Sequence, residues 1–197
     1  MRVASPLRLF IACELSQEII ERIRGVQAIL RQVRGRVSWV KPEMCHLTLR
    51  FLGDRGEEEV EGLHRALLDS VAGLAPFPMT VGGIGAFPSL LNPKVIWLGV
   101  KGGEKLADLQ RRVEEALSDI GIEKEKRPFH PHVTIGRVRH SGRKGAFNEV
   151  FERAQRVEAG AATVERIVLF SSTLSPSGAR YSIVREAGLG KEHCARR

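Results

Sequence analysis

A mixed helix-and-strand fold made of two duplicated lobes is what this sequence predicts, and three observations predict it. Short apolar runs alternate with amphipathic helical stretches along the chain. The order strand, helix, strand occurs twice. In each half the later strand carries the same motif, His46-Leu47-Thr48 and His132-Val133-Thr134. Phe10 lies 36 positions before His46, and Trp97 lies 35 before His132. That spacing suggests lobes related by a pseudo-twofold. No short solenoid-type period and no low-complexity linker interrupts them.

The elements follow in order. Leu7 to Cys13 is a mostly apolar run and reads as a buried strand. Ser16 is a good N-cap, and Ile19, Ile20, Ile23, Val26 and Leu30 then fall at helical spacing, which predicts a helix over 16–33, ended by Gly35. Val37 to Val40 is extended and closed by Pro42. His46 to Leu52 alternates as a strand and breaks at Gly53-Asp54. Glu57 to Leu74 is a second helix with Val60, Leu63, Leu67, Leu68 and Val71 on one face, and 77–86 is a strand. In the second half 94–100 is a strand. A helix over 103–120 carries the stripe Leu106, Leu109, Val113, Leu117 and Ile120, with Gly121 as its C-cap. A charged connection over 123–128 leads to the strand His132–Val138. A loop with Ser141 and Gly142, a short helix near 146–155, and strands over 162–171 and 180–185 around Ser175-Pro176-Ser177-Gly178 complete it. Residues 1–187 form one two-lobed domain on this reading, and 188–197 a basic tail that frays.

The composition is that of an ordered globular chain, 43% hydrophobic and 27% charged. Lys and Arg number 31 against 23 Asp and Glu, for a net charge of +8. A basic balance favours polyanion partners through counterion release. The three cysteines, Cys13, Cys45 and Cys194, form no C-x-x-C, which suits a reducing cytoplasm and argues against a disulfide scaffold or a cysteine-rich zinc site. Cys13 and Cys45 sit in or beside apolar runs and read as small buried hydrophobes. No window approaches the roughly 18 apolar residues of a membrane span, and no signal-peptide core precedes Glu14. We expect a cytoplasmic monomer without membrane association.

The chemistry lies in the repeated motif. Residues i and i+2 of a strand share a face, so His46 and Thr48 project together, as do His132 and Thr134. Facing lobes would gather two imidazoles and two hydroxyls around one cleft. In-line displacement at a phosphodiester needs a base for the attacking oxygen and an acid for the departing one. Histidine, with an ordinary pKa of about 6.5, does either. Threonine hydroxyls can donate to non-bridging phosphate oxygens. Arg50 shares the His/Thr face by parity and would reach a phosphate. Arg137 has the other parity unless Gly136 makes a bulge. Either guanidinium would neutralise a pentavalent transition state. This logic requires no metal and no cofactor.

Other readings compete. His130 and His132 have an i, i+2 spacing that could suit zinc, but no nearby carboxylate or thiolate completes the set. A non-catalytic RNA-end binder would use the same charge and cleft, though binding alone needs no pair of poised imidazoles. His64, His140 and His193 read as solvated, Trp39 and Trp97 as core. Phe10 and Phe129 could stack on a base, although core packing is the better reading of Phe10.

Four stretches resemble a known family: Leu9-Phe10-Ile11-Ala12; Trp39-Val40-Lys41-Pro42; His46-Leu47-Thr48-Leu49-Arg50-Phe51-Leu52-Gly53; and Arg127-Pro128-Phe129-His130-Pro131-His132-Val133-Thr134-Ile135-Gly136-Arg137. With the closing Leu169 to Tyr181 stretch, they resemble the RNA 2′,3′-cyclic phosphodiesterase, or 2′-5′ RNA ligase, family of two-histidine phosphoesterases. The resemblance runs over about residues 7–186. It implies a bilobal α+β fold with mostly antiparallel sheets facing a central cleft and helices outside. It implies hydrolysis of an RNA terminal 2′,3′-cyclic phosphate to a 2′-phosphomonoester, with reversible 2′-5′ ligation of tRNA halves as a second activity. Carried over, His46 and His132 are the catalytic pair, Thr48 and Thr134 are phosphate ligands, and Arg137 matches the family's arginine after the second motif. Arg50 stands where the family often has other residues.

Overall fold

The computed structural model describes residues 6–32, 35–140, 147, 151–152, 157–175 and 178–190. Its strands are β1 (Leu7–Cys13), β2 (Arg36–Trp39), β3 (Leu47–Arg55), β4 (Phe77–Ser89), β5 (Asn92–Lys101), β6 (His132–His140), β7 (Glu158–Val164), β8 (Arg166–Ser175) and β9 (Gly178–Gly188). Its α-helices are α1 (Gln17–Leu30), α2 (Val60–Val71) and α3 (Gly103–Asp119). Ser16 caps α1 by accepting from the Ile19 N–H. Gly121, at φ 84°, turns the chain out of α3 while the Ile122 N–H returns to the Leu117 carbonyl. The second helix is shorter than expected. Glu57–Glu59 is a 3₁₀ turn, and α2 stops at Val71 ahead of Gly73, whose φ is 71°.

The described strands form one sheet, ordered β7-β4-β5-β6-β3-β1-β8-β9, with β2 on the side of β6. Every pairing in it is antiparallel. Read outward from its middle, β6-β5-β4-β7 mirrors β3-β1-β8-β9. The two lobes meet at one register pair, Leu47 with Val133. This is the duplicated mixed fold that the sequence predicts, with one exchange. The lobes are not the two halves of the chain. β4, from the first half, lies beside β5, while β8, from the second, returns to lie against β1 and carries β9 on its far side. Hydrophobic periodicity reports which face of a strand is buried, not which neighbour it joins, so this exchange leaves no mark in the sequence pattern.

Two further differences are local. The pattern predicts a single strand over 162–171, whereas a break at Glu165 separates β7 from β8. The tail expected to fray from Gly188 is still tied down there: Leu189 is buried, its N–H donates to the Glu165 carbonyl, and the Gly190 N–H donates to the Leu74 carbonyl. The loop at Ser141-Gly142, most of the helix expected near 146–155, the turn at 176–177 and residues 191–197 lie outside the described residues.

The core lies between the sheet and the helices. Ile19, Ile23, Val26 and Leu30 of α1, Leu63 and Leu67 of α2, and Leu106, Leu109, Val113 and Leu117 of α3 are all buried in it. So are Leu47 and Val133, each fully buried, which fixes the neighbouring histidines and threonines on the opposite face. One glycine of the sheet has a steric reason. Gly85 pairs with Trp97, and a Cβ there would stand 2.1 Å from the indole Cη2. Gly85→Ala must therefore displace the indole, and overpacking of this kind costs about 1–3 kcal/mol. Urea denaturation of that variant should show a lowered midpoint; an unchanged midpoint would mean that the indole moves at no cost.

Candidate active site

The seam between the lobes builds the site. The register that pairs Leu47 with Val133 sets His46 abreast of Thr134 and Thr48 abreast of His132. Directly opposed side chains of an antiparallel pair have Cβ atoms about 4.5–5.5 Å apart. The four motif side chains therefore sit together on one face, arranged with twofold symmetry. A cavity over this face is lined by His46, Thr48, Thr134 and Arg137, with Ser172 and Tyr181 from β8 and β9. His132 lies outside that lining, abreast of Thr48 and packed edge-on to Phe87, with ring centroids 5.1 Å apart.

Both histidines are held the same way. His46 Nδ1 lies 2.9 Å from the Met44 carbonyl oxygen, and His132 Nδ1 lies 2.6 Å from that of His130. A carbonyl only accepts, so Nδ1 carries the proton in both rings and Nε2 is the nitrogen left for chemistry. Each ring also sits among aromatics. Phe10 stacks on His46 with centroids 4.8 Å apart and Tyr181 meets it edge-on at 5.2 Å. Trp97 lies 6.0 Å from His132. Burial lowers both imidazoles below the ordinary 6.5, against the pull of the carbonyl bonds. Each also feels positive charge, His46 that of His132, and His132 that of His130 and Arg137.

The two arginines part company, and β-bulges are the reason. On β3, Ala12 pairs with Thr48 and Ile11 with Arg50, so Leu49 is an extra residue. Parity flips there. Arg50 turns away from the cavity and Phe51 turns into its lining. The Arg50 guanidinium donates to both Glu114 carboxylate oxygens, at 2.9 and 3.0 Å, and to the Glu123 carbonyl. The expectation that Arg50 shares the His/Thr face is thus corrected by the bulge. On β6 the same thing happens: Trp97 pairs with Thr134 and Ile96 with Gly136, leaving Ile135 as the extra residue. Arg137 thereby gains the cavity face. The bulge is at Ile135 rather than at Gly136, whose Cβ would crowd Trp39 and Val37 at 2.9 Å. Phe51 and Arg137, each five residues past its histidine, occupy equivalent places.

Other residues fall as follows. Cys13 and Cys45 are buried, and burial pushes both thiols up to about 12, which leaves them unreactive. His64 is not simply solvated, since its Nε2 lies 3.2 Å from the Glu186 carbonyl. His130 is exposed, and among the described residues no group of three or more His, Cys, Asp or Glu gathers around it or elsewhere. Phe10 is buried and stacks on His46, in keeping with its reading as a core residue. The sequence reading missed Phe51, 64% exposed beside the cavity, and gave Ser172 and Tyr181 no role. Alternation in β8 and β9 could have placed the last two; only the bulge places Phe51.

A two-lobed antiparallel sheet with paired His-x-Thr motifs at its seam defines a two-histidine phosphoesterase arrangement. The model of the 2′-5′ RNA ligase superfamily matches residues 12–175, and the chain belongs to that superfamily. It is 32% identical over 176 residues to the RNA 2′,3′-cyclic phosphodiesterase of Methanothermobacter thermautotrophicus, covering 89% of this chain and 95% of that one. It is 34% identical to the enzyme of the same name from Aquifex aeolicus, covering 96% of this chain and 100% of the relative. The crystal structure of a Thermus thermophilus protein superposes with a TM-score of 0.79 at 28% identity, covering 95% of this chain and all of the other.

The lowered imidazoles make a stability prediction. A histidine whose folded pKa lies below its unfolded value binds fewer protons in the native state. Its stabilising effect is whole above about 6.5 and is lost as pH falls below it. Thermal stability should drop as pH falls below about 6.5, and drop less in His46→Gln. Parallel curves for the two proteins would mean that His46 is not desolvated.

Proposed function

We propose that this chain hydrolyses the terminal 2′,3′-cyclic phosphate of RNA to a 2′-phosphomonoester without a metal. The observation that carries this reading is the pair of imidazoles on one face, each tied through Nδ1 to the carbonyl two residues before it, with two threonines and Arg137 beside them. The names of the relatives and the net charge of +8 support it.

On this reading His132 Nε2 takes a proton from water as the water oxygen attacks phosphorus. The P–O3′ bond breaks, and His46 Nε2 gives its proton to the departing O3′. The products are a 2′-phosphate and a free 3′-hydroxyl, and one proton exchange between the rings resets the pair. The positive charge of Arg137, which acts on His132, favours the neutral ring as base. Thr48, Thr134 and Arg137 hold the phosphate oxygens and offset the charge of the pentavalent state. Arg50 has no part in this, being committed to Glu114. Reversible 2′-5′ joining of RNA ends such as tRNA halves is the same chemistry with a 5′-hydroxyl in place of water. The protein works as a cytoplasmic monomer.

The test is an RNA ending in a 2′,3′-cyclic phosphate, incubated with chelator, with the monoester identified. A 2′-phosphate product is expected. Saturable binding with no product would make the protein an RNA-end binder, and activity lost to chelation would make it metal-dependent. His46→Ala and His132→Ala should each lose at least about 10²-fold in kcat, since an acid–base group typically supplies that much. Because burial lowers both rings, kcat/KM should be bell-shaped with its maximum below about pH 6.5. A maximum near pH ~8 would assign the proton transfers to other groups.

A further inference from the structure

The two bulges that sort Phe51 and Arg137 onto the cavity face each have a buried polar residue behind them. Three polar side chains of the described core are buried: Gln27, Ser70 and Glu114. Ser70 merely returns a hydrogen bond to the Leu67 carbonyl of its own helix. The other two reach the motif strands. Gln27, on α1, is 2% exposed, and its Nε2 donates to the carbonyl oxygens of Val40 at 2.7 Å and Ile135 at 2.9 Å. Ile135 is the bulged residue of β6. Its carbonyl also accepts from the Val40 N–H at 3.1 Å. Glu114, on α3, is 9% exposed and holds Arg50, the residue next to the bulge of β3. Its carboxylate also accepts from the Gln110 amide and the Glu125 N–H.

The two are counterparts. Val26, Gln27 and Leu30 are buried together on α1, and Val113, Glu114 and Leu117 on α3, in the same pattern of spacing. Each lies on the helix behind the sheet and acts on a strand that carries one of the two motifs. A bulge leaves the extra residue's backbone groups without a ladder partner, and a buried carbonyl in that state is costly. The Val40 N–H supplies one donor at the Ile135 carbonyl, and Gln27 supplies a second that also ties it to the Val40 carbonyl. On β3 the side chain at the flipped position is itself gripped. Neither bond touches the cavity. Both fix which side chain comes next on the other face.

We propose that Gln27 and Glu114 are paired positioning residues, which pin the bulges of β6 and β3 and thereby set Arg137 and Phe51 on the cavity face. This rests on the phosphoesterase reading of the cavity. A glutamine-to-methionine change keeps the length and removes both donors. The bulge at Ile135 then loses its lock and Arg137 loses its aim, and misplacement of a catalytic group by about 1 Å can cost about 10²-fold.

The experiment is a double-mutant cycle on the full chain with two readouts, kcat/KM on a cyclic-phosphate RNA and the Kd for inorganic phosphate. Gln27→Met should lower kcat/KM at least about 10-fold and weaken phosphate binding. Added to Arg137→Ala it should do much less, because residues that act through one another are not additive. Ser70→Ala, which removes a buried hydrogen bond far from the motif strands, should leave both readouts unchanged at temperatures where it is folded. Gln27→Asn, which keeps an amide too short to reach, takes the place of Gln27→Met if the latter fails to fold. Gln27 and Arg137 effects that multiply in full, or a Ser70→Ala loss as large as that of Gln27→Met, would overturn the proposal. An inactive wild type would sink the reading of function instead, and the phosphate arm would still decide this one. Wild type that binds no phosphate would overturn both.

Discussion

One antiparallel pair, Leu47 against Val133, is the constraint on which the rest depends. It is the point where two four-strand groups become one sheet. Both side chains are fully buried under the helices. Their neighbours at i−1 and i+1 must then face the other way, and those neighbours are the two histidines and two threonines. A one-residue slip at this seam would bury all four and expose the two aliphatic side chains, so the cost of exposing Leu47 and Val133 enforces the register of the site. The chemistry is placed by a hydrophobic preference acting on the opposite face.

What surrounds the histidines extends this logic. Each ring is fixed at one nitrogen by a carbonyl of its own chain and on its faces or edges by aromatics: Phe10 and Tyr181 for His46, Phe87 and Trp97 for His132. The carbonyl fixes tautomer and orientation at once. The aromatics remove water, which lowers the affinity of each ring for a proton. The two influences oppose each other, the carbonyl bond favouring the charged ring and burial the neutral one, and burial wins at both sites.

Much of this was legible in the sequence, and the rest was hidden for definite reasons. The helices were readable because three amphipathic stripes and their caps at Ser16 and Gly121 are local signals. The histidine and threonine pairs were readable because strand parity holds over two residues. It did not hold over four. The extra residues Leu49 and Ile135 are ordinary buried aliphatics, and nothing in their side chains marks a bulge. Parity alone therefore puts Arg50 on the wrong face and overlooks Phe51. Arg137 reaches the cavity through a bulge one residue earlier than Gly136 suggests. The exchange of β4 between lobes was hidden for the same kind of reason, since strand partnership is a tertiary property. Phe10 and Trp97 mark the repeat only loosely. By register Trp97 pairs with Thr134, whereas the partner of Thr48 is Ala12.

The same bulges that defeat the parity argument break the symmetry of the site. Two histidines, two threonines and two Nδ1–carbonyl bonds are related by the pseudo-twofold, and such a set has no direction. Acid–base catalysis of one displacement needs direction, because one ring must be charged while the other is neutral. At equivalent positions five residues past each histidine the chain carries Phe51 on one side and Arg137 on the other. The guanidinium places positive charge near one imidazole and the phenyl ring places none near the other. Burial lowers both rings, and the charge beside His132 adds to the preference of that ring for its neutral form. On the proposed reading the duplicated fold supplies two interchangeable catalysts, and a single unmatched pair of side chains assigns their roles.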